Sequence, residues 1–444
     1  MLEAPIVPTL LRLAWPNIAV MLLMASTGLI ETWWVSWLGL DALAGVALVF
    51  PGFMMMQMLS AGAMGGGISS AVARALGGGR RDDADALVLH AIIVNVAIGS
   101  LFAALVIGFG PSLYRALGGE GGSLAAALAY SNIVFAGLPL VWLTNALANV
   151  IRGTGNMLTP ALTMSAGVVL LLPLSPCLIF GLGPFPALGI AGAGIAIVVT
   201  NAFMAAVLAV YLAAGRSVVR FAWVRLQTRL FGEILRVGAV ASITTLQTTL
   251  TVALATALVG AAAGPEAVAG YGTGNRLEYL IVPLVFGLGA PLVALVGTNL
   301  GAGRRERALR TAFTGAALAF VLAEAVGLAA AMSPETWLGL FSDNAEMHAV
   351  GGQYLRIVGP AYGFFGMGLA LYFASQGAGR LLWPLLAGMI RLVIAIGAGW
   401  IALSLTGSLS WLFASLAVAL VVYGLTIAGA VARGVWFTAP RATR

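Results

Sequence analysis

Hydrophobic residues occur in this chain in long, nearly uncharged blocks, and short charged segments separate them. The block 88–113 has only His90 as an ionisable group near its start, and the block 158–215 has no charged side chain. A helix needs about 20 apolar residues to cross a bilayer, and its backbone must satisfy its own hydrogen bonds there. The pattern predicts an all-α integral membrane protein, because a β-barrel would show short alternating segments instead.

The blocks predict twelve transmembrane helices. We place them at about 9–38, 43–73, 87–113, 127–151, 158–181, 188–214, 233–262, 268–300, 308–333, 348–376, 382–405 and 408–432. Residues 9–38 lack a convincing cleavage site, so we interpret them as a retained first helix.

Composition supports this class and excludes others. Of 444 residues, 61% are hydrophobic and 8% are charged, whereas soluble domains carry about 25% charged residues. The net charge of +7 comes from arginines dispersed in short loops, so we expect no nucleic-acid partner. The single cysteine, Cys177, excludes an intramolecular disulfide. Metal-ligand spacing, a catalytic triad and a phosphate-loop lysine are all missing from the sequence, so we expect neither a cofactor nor an enzyme.

The arginines sort by loop. The loops after even-numbered spans and the tail carry most of them: Arg74, Arg80, Arg81, Arg152, Arg216, Arg220, Arg225, Arg229, Arg304, Arg305, Arg307, Arg310, Arg380, Arg433, Arg441 and Arg444. The opposite loops carry Arg115 and mainly acids. Because basic loops stay on the cytoplasmic side, we expect both termini to be cytoplasmic, in the plasma (inner) membrane of a prokaryote.

The two halves of the chain repeat each other. Residues 76–81 (LGGGRR) match 300–305 (LGAGRR), and 153–160 match 377–384, both at an offset of 224. Residues 41–45 match 266–270 at an offset of 225. Each half then holds six spans, so the repeats are parallel. We expect an N-terminal lobe at 1–215, a cytoplasmic linker loop at 216–232 and a C-terminal lobe at 233–444, which is an architecture typical of transporters.

The chain resembles the multidrug and toxic compound extrusion (MATE) family of cation-coupled efflux transporters over nearly all of its length. The residues that carry the resemblance are Trp15-Pro16, Glu31, the stretches 38–45 (LGLDALAG) and 188–195 (LGIAGAGI), the turns 75–81 (ALGGGRR), 151–156 (IRGTGN) and 296–304 (VGTNLGAGR), and Arg391. The resemblance implies a twelve-helix fold of two six-helix lobes. It also implies export of amphipathic organic, often cationic, compounds by alternating access against inward proton or sodium flow.

The chain departs from the family pattern in its polar clusters. Leu171 and Ser175 stand where many members have an asparagine and an aspartate of span 5, and Ile197 replaces a threonine of span 6. Another branch uses acids in spans 7 and 10, and here span 7 offers only Gln247 and Thr248. We therefore favour a proton over sodium as coupling ion, because a proton needs only one carboxylate.

Charged groups inside spans are costly and mark functional sites. Glu31, the only acid within spans 1–6, is our candidate for proton or cation coupling, and the alternative is an interfacial glutamate beside the tryptophans of span 1. The position equivalent to Glu31 in the second half is Ala255. We list as possible secondary polar sites Gln57, Arg276, Glu278, Gln247 and Thr248. Arg391 and Glu324 are expected to be structural.

Alternatives to an exporter of organic compounds remain open. A lipid-linked saccharide flippase of the same superfamily would favour a strongly cationic cavity, and this chain has few intramembrane arginines. A lipid-processing membrane enzyme would need clustered polar residues at the membrane face. The expected partners are small organic substrates and the lipid bilayer, and we expect a monomer.

Overall fold

The computed structural model describes residues 2–437, without the side chains of Ala25, Tyr279 and Leu280. Within this range the secondary structure is helical and includes no β-strand. Arg441 and Arg444, which contribute to the predicted orientation, lie outside the described residues.

Twelve helical segments of the described chain are long and apolar enough to cross a membrane. Ten helices meet that description, the bent pair Gly121–Ala136 and Leu138–Gly153 adds one more span, and Thr228–Gly301 contains two spans. We number the segments α1 (Ile6–Ser36), α2 (Leu40–Gly77), α3 (Arg81–Ala116), α4 (121–153), α5 (Leu158–Phe180), α6 (Ile190–Ala213), α7 (228–263), α8 (265–301), α9 (Arg305–Met332), α10 (Ala345–Ala378), α11 (Leu382–Thr406) and α12 (Leu409–Ala432). The predicted fold class is confirmed.

Four spans are interrupted where the hydrophobic pattern predicts continuous helices. Helix α4 bends by 43° between Ala136 and Leu138, just before Pro139, and α10 tightens into a 3₁₀ turn that contains Pro360. Proline has no N–H to give to the preceding turn, so each of these breaks has a local cause. Helices α2 and α11 instead contain π-helical segments, Met58–Met64 and Val393–Ala398. Hydropathy does not register these interruptions, because the residues around them stay apolar.

The repeated turns have the same backbone geometry in both halves. Gly79 and Gly303 both have a φ of 72°. The residue after each glycine donates its N–H to a carbonyl oxygen five residues earlier, at 2.9 and 2.8 Å. Left-handed glycines also recur at the two other repeated places, Gly39 with Gly264 and Gly155 with Gly379. Glycine is required there because it alone adopts positive φ without steric cost, which explains why these short motifs survive in both halves.

The chain divides into two compact units. One is Trp15–Gly238, and the other joins the N-terminal residues up to Ala14 to the chain from Ala239 onward. In the second unit the N-terminal segment is held by arginines of the turn after α8 and the start of α9, because Arg304 donates to Leu2 O at 2.8 Å and Arg307 donates to Ala4 O. The first unit is built on an apolar core that includes Trp142, Phe135 and Leu87.

Close helix packing in each unit depends on glycine. In α9 and α10, a Cβ atom on Gly327 would lie 2.1 Å from the carbonyl oxygen of Gly359. In α5 and α6, a Cβ atom on Gly192 would lie 2.4 Å from Leu178 O. Small residues allow such backbone approach, and in lipid it is dispersion and packing that hold helices together.

Gly327→Ala should therefore destabilise the protein, because the new methyl group meets backbone atoms that cannot rotate away. Overpacking of this kind costs about 1–3 kcal/mol, so we expect a melting temperature lower by several degrees in a detergent thermal-stability assay. Gly429→Ala is the matched control, because nothing lies within 4 Å of its Cβ position. Equal melting temperatures for the two variants would contradict the close contact.

Candidate functional site

The Glu31 carboxylate lies between α1 and α5. Ser175 Oγ of α5 donates a hydrogen bond to Glu31 Oε2 at 2.7 Å. Ser175 is completely buried and Glu31 is half-buried. Glu31 is five residues before the end of α1, which corresponds to a depth of about 8 Å at 1.5 Å per residue. The predicted coupling acid is thus hydrogen-bonded to Ser175, which stands where many family members have an aspartate.

The second carboxylate oxygen has no such partner. Glu31 Oε1 is buried and accepts no hydrogen bond from the described residues. Tyr130 of α4 is the nearby group with which the carboxylate interacts electrostatically, and the described part of the protein forms no salt bridge to Glu31. A buried carboxylate oxygen without a donor is costly. A proton or a bound cation would remove that cost.

An aromatic cluster follows Glu31 toward the end of α1. The ring centroids of Trp33 and Trp34 are 4.5 Å apart, and that of Trp34 lies 6.2 Å from that of Phe180 at the end of α5. Trp33 and Trp37 are exposed on the outside of the helix. Rings of this kind occupy membrane interfaces, so the cluster marks the near end of the span.

The second unit holds a different buried charge site. Arg391 Nη2 of α11 donates to Glu278 Oε1 of α8 at 3.1 Å, and both side chains are about nine-tenths buried. The Arg391 guanidinium also lies over the rings of Phe365 and Tyr423, with its Cζ 5.1 and 5.7 Å from their centroids. Cation–π contacts and the carboxylate together offset the loss of hydration. The site is therefore a neutral pair rather than a single charge.

A small cavity adjoins this ion pair within the second unit. Its lining includes Thr251, Asn275, Glu278, Tyr354 and Arg391. The space within it that the centre of a water molecule can occupy is about 20 Å³. That volume admits a water molecule or a small ion, whereas ligand pockets for organic molecules measure about 300–1,000 Å³. In this form of the protein the cavity is too small for an organic substrate.

The other polar residues predicted as secondary sites on α7 and α8 lie in three different environments. Arg276 is exposed and its Cζ lies 5.7 Å from the centroid of the Phe341 ring, so it does not share the environment of Glu278. Thr248 is exposed and donates to Thr244 O at 3.1 Å. Gln247 is 7% exposed and packs against Gly388 of α11. Neither amide atom of Gln247 finds a hydrogen-bond partner among the described residues, so it is the most suggestive of the three.

Gln57 belongs to a polar cluster in the first unit. Asn145 Nδ2 of α4 donates to Gln57 Oε1 at 3.2 Å and to Ser60 Oγ at 3.1 Å. Asn149, one turn further along α4, donates to Asn145 O at 2.9 Å. Neighbouring Met56 is buried and Met58 is exposed, so the methionine run does not form one face. The cluster sits where α2 becomes π-helical, and π-bulges are frequent at functional sites.

Sequence reasoning missed the asparagines of this cluster. Their signal is visible afterwards, because Asn145 and Asn149 are four residues apart in an otherwise apolar span and therefore share one helix face. It also missed Ser175 as a hydrogen-bond donor. A serine in an apolar helix usually bonds its own backbone, so only the fold could show that this one reaches across to α1.

A family model described as MatE matches the chain twice, at residues 16–177 and 241–401. The two matched segments begin 225 residues apart, which agrees with the internal repeat. An FAD transporter of Shewanella oneidensis is 28% identical over 84% of this chain and 82% of its own length. A probable multidrug resistance protein NorM of Thermotoga maritima is 26% identical over 86% of this chain and 82% of its own length.

Solved structures with the same fold agree. A MATE crystal structure in the bent conformation has a TM-score of 0.88 and 24% identity, covering 96% of this chain and 94% of its own. A MOP superfamily transporter from Pyrococcus furiosus, described as having a binding pocket of reverse polarity, has a TM-score of 0.87 and 24% identity over 96% and 95% of the two chains. At this identity the likeness establishes the fold.

The Glu278–Arg391 pair yields a prediction about stability. Arg391→Met alone should leave a buried carboxylate without a partner, at a cost of about 3–5 kcal/mol. Replacing both residues by methionine should recover most of the melting temperature, because apolar replacements of a buried pair are often neutral. Thermal melts of the two single variants and the double variant in detergent complete the cycle. A double variant as unstable as Arg391→Met would show that the pair is not a self-contained structural unit.

Proposed function

This chain belongs to the MatE family, whose members are membrane transporters and not enzymes, and from that premise we propose that it is a cation-coupled antiporter. It exports amphipathic organic compounds, often cationic ones, by alternating access, and the coupling ion is a proton. The relatives named multidrug resistance or multidrug export proteins support this substrate class. The protein acts in the inner membrane of a prokaryote, as a monomer and without a cofactor.

One observation carries the choice of coupling residue. Glu31 Oε1 is a buried acceptor without a donor, although Ser175 satisfies Oε2. Low dielectric favours the protonated form of a carboxyl group, and a protonated group would put a hydrogen on one of these oxygens. Glu278, in contrast, is already neutralised by Arg391. The proposal therefore assigns proton exchange to the first unit and a structural role to the pair in the second.

The driving force from one proton is sufficient to export an uncharged solute. One proton moving down about 100 mV releases about 2.3 kcal/mol, and one pH unit adds about 1.4 kcal/mol. Together these correspond to a gradient of several hundred-fold for an uncharged solute, since each 1.4 kcal/mol is a factor of ten. For coupling, proton and substrate must favour different conformations of the transporter.

Charge within the described spans favours cationic or neutral substrates over strongly anionic ones. The buried arginines among the described residues are Arg152 and Arg391, and Glu278 neutralises Arg391. This argues against the lipid-linked saccharide flippase, which would need a strongly cationic cavity. Because one relative is named an FAD transporter, FAD should be assayed beside a cationic dye in the same vesicles.

Glu31→Gln should abolish transport driven by a pH gradient, because glutamine resembles the protonated carboxyl group and cannot release a proton. The measurement is dye export in proteoliposomes with an imposed pH gradient, with and without sodium. Glu324→Gln is the matched control. Glu324 is also an acid within a span, but it accepts a hydrogen bond from Gly363 N at 2.7 Å, which a glutamine oxygen can replace. Wild-type pH dependence in Glu31→Gln at normal expression would refute the coupling role.

Ser175→Ala should keep transport but change its pH dependence. The serine hydroxyl stabilises the ionised carboxylate, so its loss favours the protonated form. A hydrogen bond to a charged group is worth about 1.5–3 kcal/mol, so the pH of half-maximal transport should rise measurably. The readout is the pH profile of dye export at fixed membrane potential. An unchanged profile would mean that the contact does not affect the coupling step.

Orientation is tested separately from coupling. In a Cys177→Ser background, cysteines at Leu226 and Leu340, which are 56% and 73% exposed, should react with a membrane-impermeant maleimide from opposite sides of the membrane. The linker cysteine should react only in inverted vesicles if the basic loops are cytoplasmic. Labelling of both from one side would overturn the assignment of the basic loops.

A further inference from the structure

The linker between α6 and α7 is an ordered, extended segment in the first unit. Arg220 N donates to Asp85 Oδ1 at 2.8 Å, and Gln227 N donates to His90 Nε2 at 2.8 Å. His90 is completely buried, with Nδ1 2.8 Å from Ala86 O. Two backbone hydrogen bonds therefore attach the linker to the start of α3.

Within residues 221–225 the side chains alternate as they do in an extended strand, with Phe221, Trp223 and Arg225 exposed and Ala222 and Val224 partly buried. Val219 is completely buried, and Val224 packs against the apolar core of the first unit. On the other side Phe221 is 36% exposed and Trp223 is 85% exposed, and their ring centroids are 5.3 Å apart. The linker thus holds two aromatic rings outward, although burial of apolar surface would favour the reverse.

Positive charge accompanies these rings. Arg216, Arg220 and Arg225 are exposed, and none of them forms a salt bridge within the described part of the chain. Residues 214–227 contain no acid. The next arginine, Arg229, differs because it pairs with Asp83 at 2.5 Å. The exposed side of the linker therefore carries two aromatic rings and three arginines that have no salt-bridge partner among the described residues.

We propose that the exposed surface of the linker, formed by Arg216, Arg220, Phe221, Trp223 and Arg225 and here called the linker face, binds the headgroups of anionic lipids. Tryptophan prefers the headgroup level of a bilayer because its ring is apolar and its N–H is polar. Arginines beside the bilayer attract anionic headgroups. The linker joins directly to two membrane-spanning helices, so its distance from the surface is short.

The alternative occupants are water and an acidic segment of another protein. A loop that faces only water would explain the exposed arginines. It would not explain why Trp223 is exposed on a segment whose backbone is hydrogen-bonded to α3. A protein partner would require the same charge complementarity, and it would bind whatever the lipid composition. Lipid composition therefore separates the proposal from both alternatives.

The test uses Leu226→Cys in a Cys177→Ser background and attaches an environment-sensitive fluorophore to the new cysteine. Leu226 is outside the linker face, so the label leaves that face intact. The full-length protein is reconstituted in vesicles of phosphatidylcholine, with or without about one third phosphatidylglycerol. We expect quenching by spin-labelled lipid to rise about twofold or more with the anionic lipid. High salt should reverse the rise, because the Debye length falls to about 3 Å at 1 M.

Two variants and one control define the result. Trp223→Ala, and separately the Arg216→Gln, Arg220→Gln and Arg225→Gln combination, should each remove the rise. Arg220→Gln keeps the backbone N–H that donates to Asp85, so the linker stays attached. The same label at Leu340, in a loop whose charges are acidic, should not respond to phosphatidylglycerol. Equal quenching in both vesicle types, or an equal rise at Leu340, would overturn the proposal.

Discussion

Hydrocarbon neither hydrogen-bonds the backbone nor solvates a charge, and the organisation of this protein follows from that constraint. Every span is helical because only then are backbone groups satisfied within the segment. Helices are held by close packing, so glycines such as Gly327 and Gly192 are placed where backbones approach. The same constraint makes each charge inside a span costly. Charges that persist there must be neutralised or must serve a function; Glu278 is neutralised by Arg391, and a coupling function is what we propose for Glu31.

The two halves share a fold but not a chemistry. At the offset of 225 that applies near the start of each half, Glu31 corresponds to Thr256, and at the offset of 224 that applies further along, Ser175 corresponds to Gly399. Glu278 corresponds to Phe53 or Met54, neither of which is charged. The second half thus has no carboxylate at the place where the first half holds Glu31. This difference agrees with the proposed division of labour, in which one unit holds a neutral pair and the other holds an exchangeable carboxylate.

Both π-helical segments begin beside polar groups in their own spans. Met58–Met64 follows Gln57, and Val393–Ala398 begins two residues after Arg391. A π-bulge inserts a residue into a helix and turns the following side chains to new directions. In α2 this places Ser60 within reach of Asn145. The interruption of α2 is thus accompanied by a polar contact between spans, whereas in α11 the ion pair is formed by Arg391 just before the π-helical segment.

By itself, the sequence determined the membrane class, the twelve spans, the repeat and the short list of charged residues, because hydropathy and glycine turns are local properties. It also singled out Glu31 and Arg391. Only the tertiary structure decided their partners: Ser175 for the first and Glu278, 113 residues away, for the second. Neither pairing has a local signal, since partners on different helices meet only through packing. The helix breaks at Gly137 and Gly359 were likewise hidden, because hydropathy averages over the few residues in which a helix changes direction.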